Sequence, residues 1–268
     1  MIDITMSPIA FTIGSFSVRW YGIMVALAVL VVVLWVFWEI RRGAKVSYDT
    51  LFTAALVGIP AGIIFSRMLH VIDLWDYYGA NPGQIIGFSG LTIYGAILGA
   101  VLAIWIYSKL SRFRFGYVMD LVAPGVLLAQ AVGRVGCTIN GCCYGAEAPS
   151  WLPWSVVYTH PQSYGHNASL GLPEGIGLHP TQVYEIAFLL IAFGVLFPLR
   201  KRFQPDGSLF LIYLSAYSAW RVGVGFLRDG TSFLFGLHQA QVIGIIVLII
   251  AITILIWRTR WVKKPSSA

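Results

Sequence analysis

A chain of 268 residues that is 58% hydrophobic and 11% charged, with a mean hydropathy of +0.78, has more apolar surface than a soluble core can hide. Water-soluble domains carry about 25% charged residues, so an ordinary soluble globule is excluded and a polytopic membrane protein is expected. The formal net charge of +7 follows the loops that would face the cytoplasm, so no nucleic-acid partner is expected from it.

In chain order, the opening MIDITMSPIAFTIGSFSV has no Lys or Arg before Arg19 and no cleavage-like pattern, which does not read as a secretory signal. Seven mostly apolar runs follow, at about 18–38, 50–72, 90–107, 117–136, 182–199, 208–227 and 238–257; each is of a length suited to a membrane helix. The fold expected is all-α: one integral-membrane domain over residues 1–268 with seven transmembrane helices. A small extracytoplasmic insertion, residues 137–181, follows the fourth.

Orientation comes from the basic residues. Alternate connections carry Arg41, Arg42 and Lys45, then Lys109, Arg112 and Arg114, then Arg200, Lys201 and Arg202, and finally Arg258, Arg260, Lys263 and Lys264. By the positive-inside rule these mark the cytoplasmic face, placing the N-terminus outside and the C-terminus inside. Localisation to a bacterial cytoplasmic membrane is expected.

Five arginines remain: Arg19, Arg67, Arg134, Arg221 and Arg228. Each falls at or near the outer end of its run, where an arginine toward the helix centre costs about 3 kcal/mol. Singly, each reads as a snorkelling side chain or a structural ion pair; together they point to a compensating anion. Polar residues gather on the same side: Tyr21 after Arg19, His70 after Arg67, Tyr94 in the third run, His179, Gln182, Tyr184 and Glu185 in the fifth, and His238, Gln239 and Gln241 in the seventh. Glu185 stands inside an apolar helix start, where a carboxylate needs a cationic partner. Gly58-x-x-x-Gly62 and Gly95-x-x-x-Gly99 are spaced for close helix crossing and read as packing.

The fourth run ends in GRVGCTINGCCYG, Gly133 to Gly145, which holds a lone arginine, an asparagine and all three cysteines of the chain. Cys137, Cys142 and Cys143 would face an oxidising side, which permits one disulfide and a leftover thiol. They lack CxxC spacing and no metal is expected. A nucleophilic cysteine is the sharper alternative reading.

GRVGCTINGCCYG resembles the signature segment of the prolipoprotein diacylglyceryl transferase family, HPTQVYE its fifth-helix motif, and WRVGVGFLRD its sixth-helix motif. The resemblance covers nearly the whole chain. It implies a transferase that moves the diacylglyceryl group of phosphatidylglycerol to the lipobox cysteine thiol of a prolipoprotein signal peptide, forming a thioether and releasing glycerol phosphate, the first step of lipoprotein maturation. Membrane lipid is the other partner and no cofactor is called for. Carried onto this chain, the resemblance implies Arg134, Glu185, Arg221 and Tyr94 as catalytic residues. Phosphatidylglycerol would be bound by Arg134, Asn140, Arg221 and Arg228, with Tyr21 beside them. The chain departs from the commonest pattern at four places: Cys137 and Thr138 replace Asn-Phe, the pair Cys142 and Cys143 replaces a glutamate, Tyr94 replaces a catalytic histidine, and Gly225 replaces a glutamate four residues after Arg221. These leave the proton acceptor open. Two other classes stay open: a lipid or small-anion transporter or flippase, and a non-catalytic membrane paralogue acting in assembly.

Overall fold

The computed structural model describes residues 1–86, 93–173, 175–200, 202–229, 233–258 and 260–261. Each of the seven apolar runs coincides with a helix: α1 Trp20–Arg41, α2 Tyr48–Asp73, α3 Ile93–Leu110, α4 Phe115–Asn140, α5 Thr181–Leu199, α6 Ser208–Gly225 and α7 Gln239–Arg258. Among the described residues, α1, α2, α4, α5 and α7 are long and apolar enough to cross a membrane. Exposed apolar side chains such as Val29, Leu34, Ile249 and Ile250 line their outer faces, a surface that water disfavours and lipid tails accept. The protein is a multi-pass membrane protein.

Short strands amend the all-helical expectation. β1 Ile2–Ile4 pairs in parallel with β4 Val156–Tyr158, and β2 Ile9–Ile13 forms a hairpin with β3 Phe16–Arg19 across Gly14 at φ 60°. A further two-residue pair joins β5 Phe203–Gln204 to β6 Arg260–Trp261. Strands this short carry too little alternation to stand out beside helices of about 20 residues.

The chain forms two compact units, residues 1–36 with 119–268, and residues 37–118. In the second, α2 and α3 pack through the two glycine pairs. A Cβ built on Gly95 would stand 2.5 Å from the Phe65 carbonyl oxygen, one on Gly99 2.6 Å from that of Ala61, and one on Gly62 2.9 Å from that of Ala96. Only bare backbone permits this approach, and the packing reading of both motifs is the one the structure bears out.

In the first unit the core runs between α4, α5 and α6: Ala123, Leu127 and Ala131, Leu189, Ala192 and Leu196, Leu209 and Tyr213 are buried together. Trp35 from α1 seats its ring where a Cβ on Gly125 would stand, and donates its indole N–H to the Leu121 carbonyl at 2.9 Å. At the start of α6, Asp120 accepts from the backbone N–H groups of Gly207 (2.7 Å) and Phe210 (2.8 Å). This satisfies donors that a helix N-terminus leaves open and places negative charge at its positive end.

The segment between α4 and α5 is built around Val156, Tyr158 and Leu178. Backbone bonds at 2.8 Å join Gly145 to His179 and Ala146 to Leu227, tying this segment to the ends of α5 and α6.

Candidate functional site

The stripes that form the core also build the site. Positions 123, 127, 131 and 134 share one face of α4; 185, 189, 192 and 196 share one face of α5; 209, 213, 217 and 221 share one face of α6. Continuing each buried stripe by a turn delivers Arg134, Glu185, Tyr217 and Arg221 to the same place.

Glu185 is the centre, with 0% of its side chain exposed. One oxygen, Oε1, takes Arg134 Nη2 at 2.9 Å and the Tyr217 hydroxyl at 2.9 Å. The other, Oε2, lies 3.9 Å from Arg221 Nη1. Neither Oε2 nor Arg221 Nη1 has a hydrogen-bond partner among the described residues, and the same holds for Arg228 Nε. One carboxylate thus faces two guanidinium groups, leaving an excess positive charge and open donors. A buried carboxylate is retained in such a place only with partners of this kind.

Arg221 and Arg228 line a cavity of about 270 Å³ with Asp229, His238, Gln239 and Gln241. Burial and the neighbouring Arg221 charge push Arg228 below the ordinary arginine range, a tension that a nearby anion would relieve. The glutamate that the resemblance expects at position 225 has no room: Gly225 is pressed against the Gln241 side chain, and Gln241 in turn donates to the Val222 carbonyl at 3.1 Å.

The glycine-rich segment is held by its own hydrogen bonds. Cys142 N–H donates to the Cys137 carbonyl (3.1 Å) and Gly141 N–H to the Thr138 carbonyl (3.3 Å), with Gly141 at φ 69°. This pair of bonds ends α4 in a Schellman turn, in which glycine takes the left-handed position at no steric cost. Arg19 Nη1 donates to Asn140 Oδ1 at 3.1 Å, and its guanidinium lies 5.2 Å from the centre of the Tyr164 ring. Arg228 Nη2 (2.9 Å) and Thr181 Oγ1 (2.8 Å) both donate to the Cys143 carbonyl. Gln182 donates to the Cys142 carbonyl at 2.7 Å.

Of the residues expected from sequence, Arg134, Glu185 and Arg221 meet directly, Arg228 borders the same cavity as Arg221, and Asn140 reaches Arg19. Tyr21 is half-exposed on α1, beside Gly136, where a Cβ would stand 3.3 Å from the Tyr21 Cα. Tyr94 lies in the first turn of α3, and its side chain is outside the described residues. Tyr217 was not anticipated, although its position four residues before Arg221 in an apolar run was the available signal. Arg19 was noted only as one of five outer arginines, and its partner Asn140 is 121 residues away. All three cysteines are free thiols.

The fold and site define a multi-pass membrane protein that gathers arginines around one buried carboxylate, beside a cavity suited to an anion. Comparison with known proteins gives the family. The model of the prolipoprotein diacylglyceryl transferase family matches residues 8–257, and the chain belongs to that family. It is 52% identical over 266 residues to a phosphatidylglycerol–prolipoprotein diacylglyceryl transferase of Dehalococcoides mccartyi (strain ATCC BAA-2266 / KCTC 15142 / 195), covering 99% of each chain. Proteins of the same name from Symbiobacterium thermophilum, 32% identical with 98% and 96% covered, and Clostridioides difficile, 33% identical with 91% and 92% covered, are also similar.

Proposed function

We infer that this protein transfers the diacylglyceryl group of phosphatidylglycerol to a cysteine thiol of prolipoproteins. The observation that carries the site assignment is the buried Glu185 held between Arg134 and Arg221 beside the cavity lined by Arg221 and Arg228. In the reaction the lipobox thiolate attacks the glycerol carbon that bears the phosphate. A C–S bond forms and the C–O bond breaks; the electron pair leaves on the phosphate oxygen of glycerol phosphate, and the thiol proton passes to solvent.

Planar, multiply donating guanidinium groups suit this chemistry, because they hold a phosphate in fixed geometry and stabilise the negative charge that grows on the leaving oxygen. Arg134, Arg221 and Arg228 are proposed as that clamp, Asn140 and Tyr21 as binding residues beside it, and Glu185 as the residue that fixes the arginines. Tyr94 is proposed, on the resemblance alone, to orient substrate. A model-peptide thiol titrates near 8.5, so a field that lowers it by about 1.5 units, roughly 2 kcal/mol, makes thiolate the main form at pH 7. Arginines supply that field without a strong base.

Seven spans in a single membrane domain are proposed, with the N-terminus outside, the C-terminus inside, and residues 137–181 on the outer face. Single cysteines introduced at Arg42 and Gln162 in a background free of other cysteines should be labelled from opposite faces. The activity test is purified protein in phosphatidylglycerol vesicles with a lipobox peptide. Thioether-linked diacylglyceryl peptide and an equal amount of glycerol phosphate are expected, and neither when phosphatidylglycerol is omitted. Folded protein that moves lipid between leaflets without modifying the peptide would overturn the reading in favour of a flippase.

A further inference from the structure

The three cysteines converge although their spacing in sequence is not that of a common metal motif. The Schellman turn at the end of α4 brings Cys142 back to Cys137, whose carbonyl accepts the Cys142 N–H across the turn. Cys143 then takes a backbone φ of 63°, a left-handed conformation costing a non-glycine residue about 1–3 kcal/mol. As a result the three sulfur atoms lie within 4.8 Å of one another. Sulfurs bound to one cation at about 2.3 Å stand roughly 4 Å apart in trigonal geometry, so the sulfurs need to close by less than about 1 Å to form a three-coordinate site.

We propose that Cys137, Cys142 and Cys143 form a trigonal binding site for one soft d10 cation of the Zn²⁺ or Cu⁺ kind. Thiolates prefer such ions over hard oxygen-seeking ones. Outer partners are in place. Asn140 Nδ2 donates to Cys142 Sγ at 3.4 Å and Arg134 Nη1 reaches Cys137 Sγ at 3.9 Å, while Arg228 and Thr181 fix the Cys143 carbonyl. Groups of this sort orient metal ligands. Arg134 and Arg228 also bring positive charge beside the cluster. Three thiolates on a divalent ion carry one net negative charge, which those arginines offset. Cys137 is buried and Cys143 exposed, so an ion enters from the Cys143 side. None of the three sulfurs reacts in the proposed transfer, in which the reacting thiol belongs to the peptide.

The test uses the full-length protein in detergent, kept reduced with a phosphine, with three thiols per chain counted under denaturing conditions. Titration with Cd²⁺ should raise a thiolate-to-cadmium charge-transfer band that ends at one ion per chain and is displaced by Zn²⁺. Cys137→Ser, Cys142→Ser and Cys143→Ser should each weaken binding by more than the 10- to 100-fold that loss of an outer-shell partner causes, with metal-free melting temperatures unchanged. A missing band, an endpoint well away from one, or a full-strength band in folded Cys143→Ser overturns the proposal.

Discussion

Arg134→Lys keeps the charge and removes the fork. Arg134 spends Nη2 on Glu185 at 2.9 Å and turns Nη1 toward the sulfur cluster; a lysine has a single nitrogen to place. If that nitrogen stays on the buried carboxylate, the fold is preserved and the remaining guanidinium donors, proposed to reach the leaving phosphate, are lost. Removing one donor to a developing oxyanion costs about 2.7–4 kcal/mol, or about 10²–10³ in rate, so transfer should fall by roughly a hundredfold or more. Stability should change by no more than about 1 kcal/mol, because a charged hydrogen bond to Glu185 survives. The assay is initial-rate transfer to lipobox peptide in phosphatidylglycerol vesicles, with thermal unfolding of the same preparations. Arg-for-Lys exchange at Lys109, far along the chain at the end of α3, serves as the silent control. Wild-type transfer in Arg134→Lys would refute the clamp, and a melting loss large enough to explain the rate would reduce Arg134 to a structural anchor.

Other substitutions separate the site from its supports. Glu185→Ala leaves the arginines without their carboxylate and should cost about 3–5 kcal/mol of stability, whereas Glu185→Gln, which keeps an acceptor for Tyr217 and Arg134, should cost clearly less; equal melting curves for both would contradict the charge argument. Arg221→Ala removes positive charge from the reacting thiol, whose pKa therefore rises, so the increase of rate with pH should move to higher pH; an unmoved profile counts against thiolate stabilisation. Replacing Cys137, Cys142 and Cys143 together by Ser should leave measurable transfer, and complete loss in folded protein would favour a covalent cysteine mechanism. Gly99→Ala drives a Cβ against the Ala61 carbonyl and should destabilise by about 1–3 kcal/mol, while Gly194→Ala, with open space around it, should be neutral or stabilising by up to about 1 kcal/mol; chemical denaturation in mixed micelles compares them.

The seven helices and the meeting of Arg134, Glu185 and Arg221 were legible because their signals are local. An apolar run of 20 residues is visible wherever its partners lie, and a charge inside it is visible as an exception. Tyr217 was equally visible, yet tyrosines in membrane helices are common enough that only the distance to Glu185 distinguishes this one. The strand pairs were not legible, since three residues of Ile2–Ile4 say nothing of Val156–Tyr158. Nor was the sulfur cluster: a spacing of five followed by one matches no familiar ligand pattern, and becomes a cluster only once Gly141 and Cys143 turn left-handed. The sequence shows Gly225 as a departure from the family pattern but not what takes the glutamate's space, which Gln241 fills from α7.

The pairing of β1 with β4 joins residues about 150 positions apart, and such long-range contacts form only after the intervening chain is in place. During synthesis the first residues must therefore wait, unpaired and already across the membrane in the proposed orientation, while α1 to α4 are inserted and the segment carrying Val156 emerges. The first strand to be made is thus matched to one that four of the seven helices precede in the finished chain, and the loop that carries Cys142 and Cys143 and contacts α5 closes later still, when Thr181 and Gln182 arrive. A truncation after α4 would leave an inserted helix bundle with its oldest strand still searching for a partner.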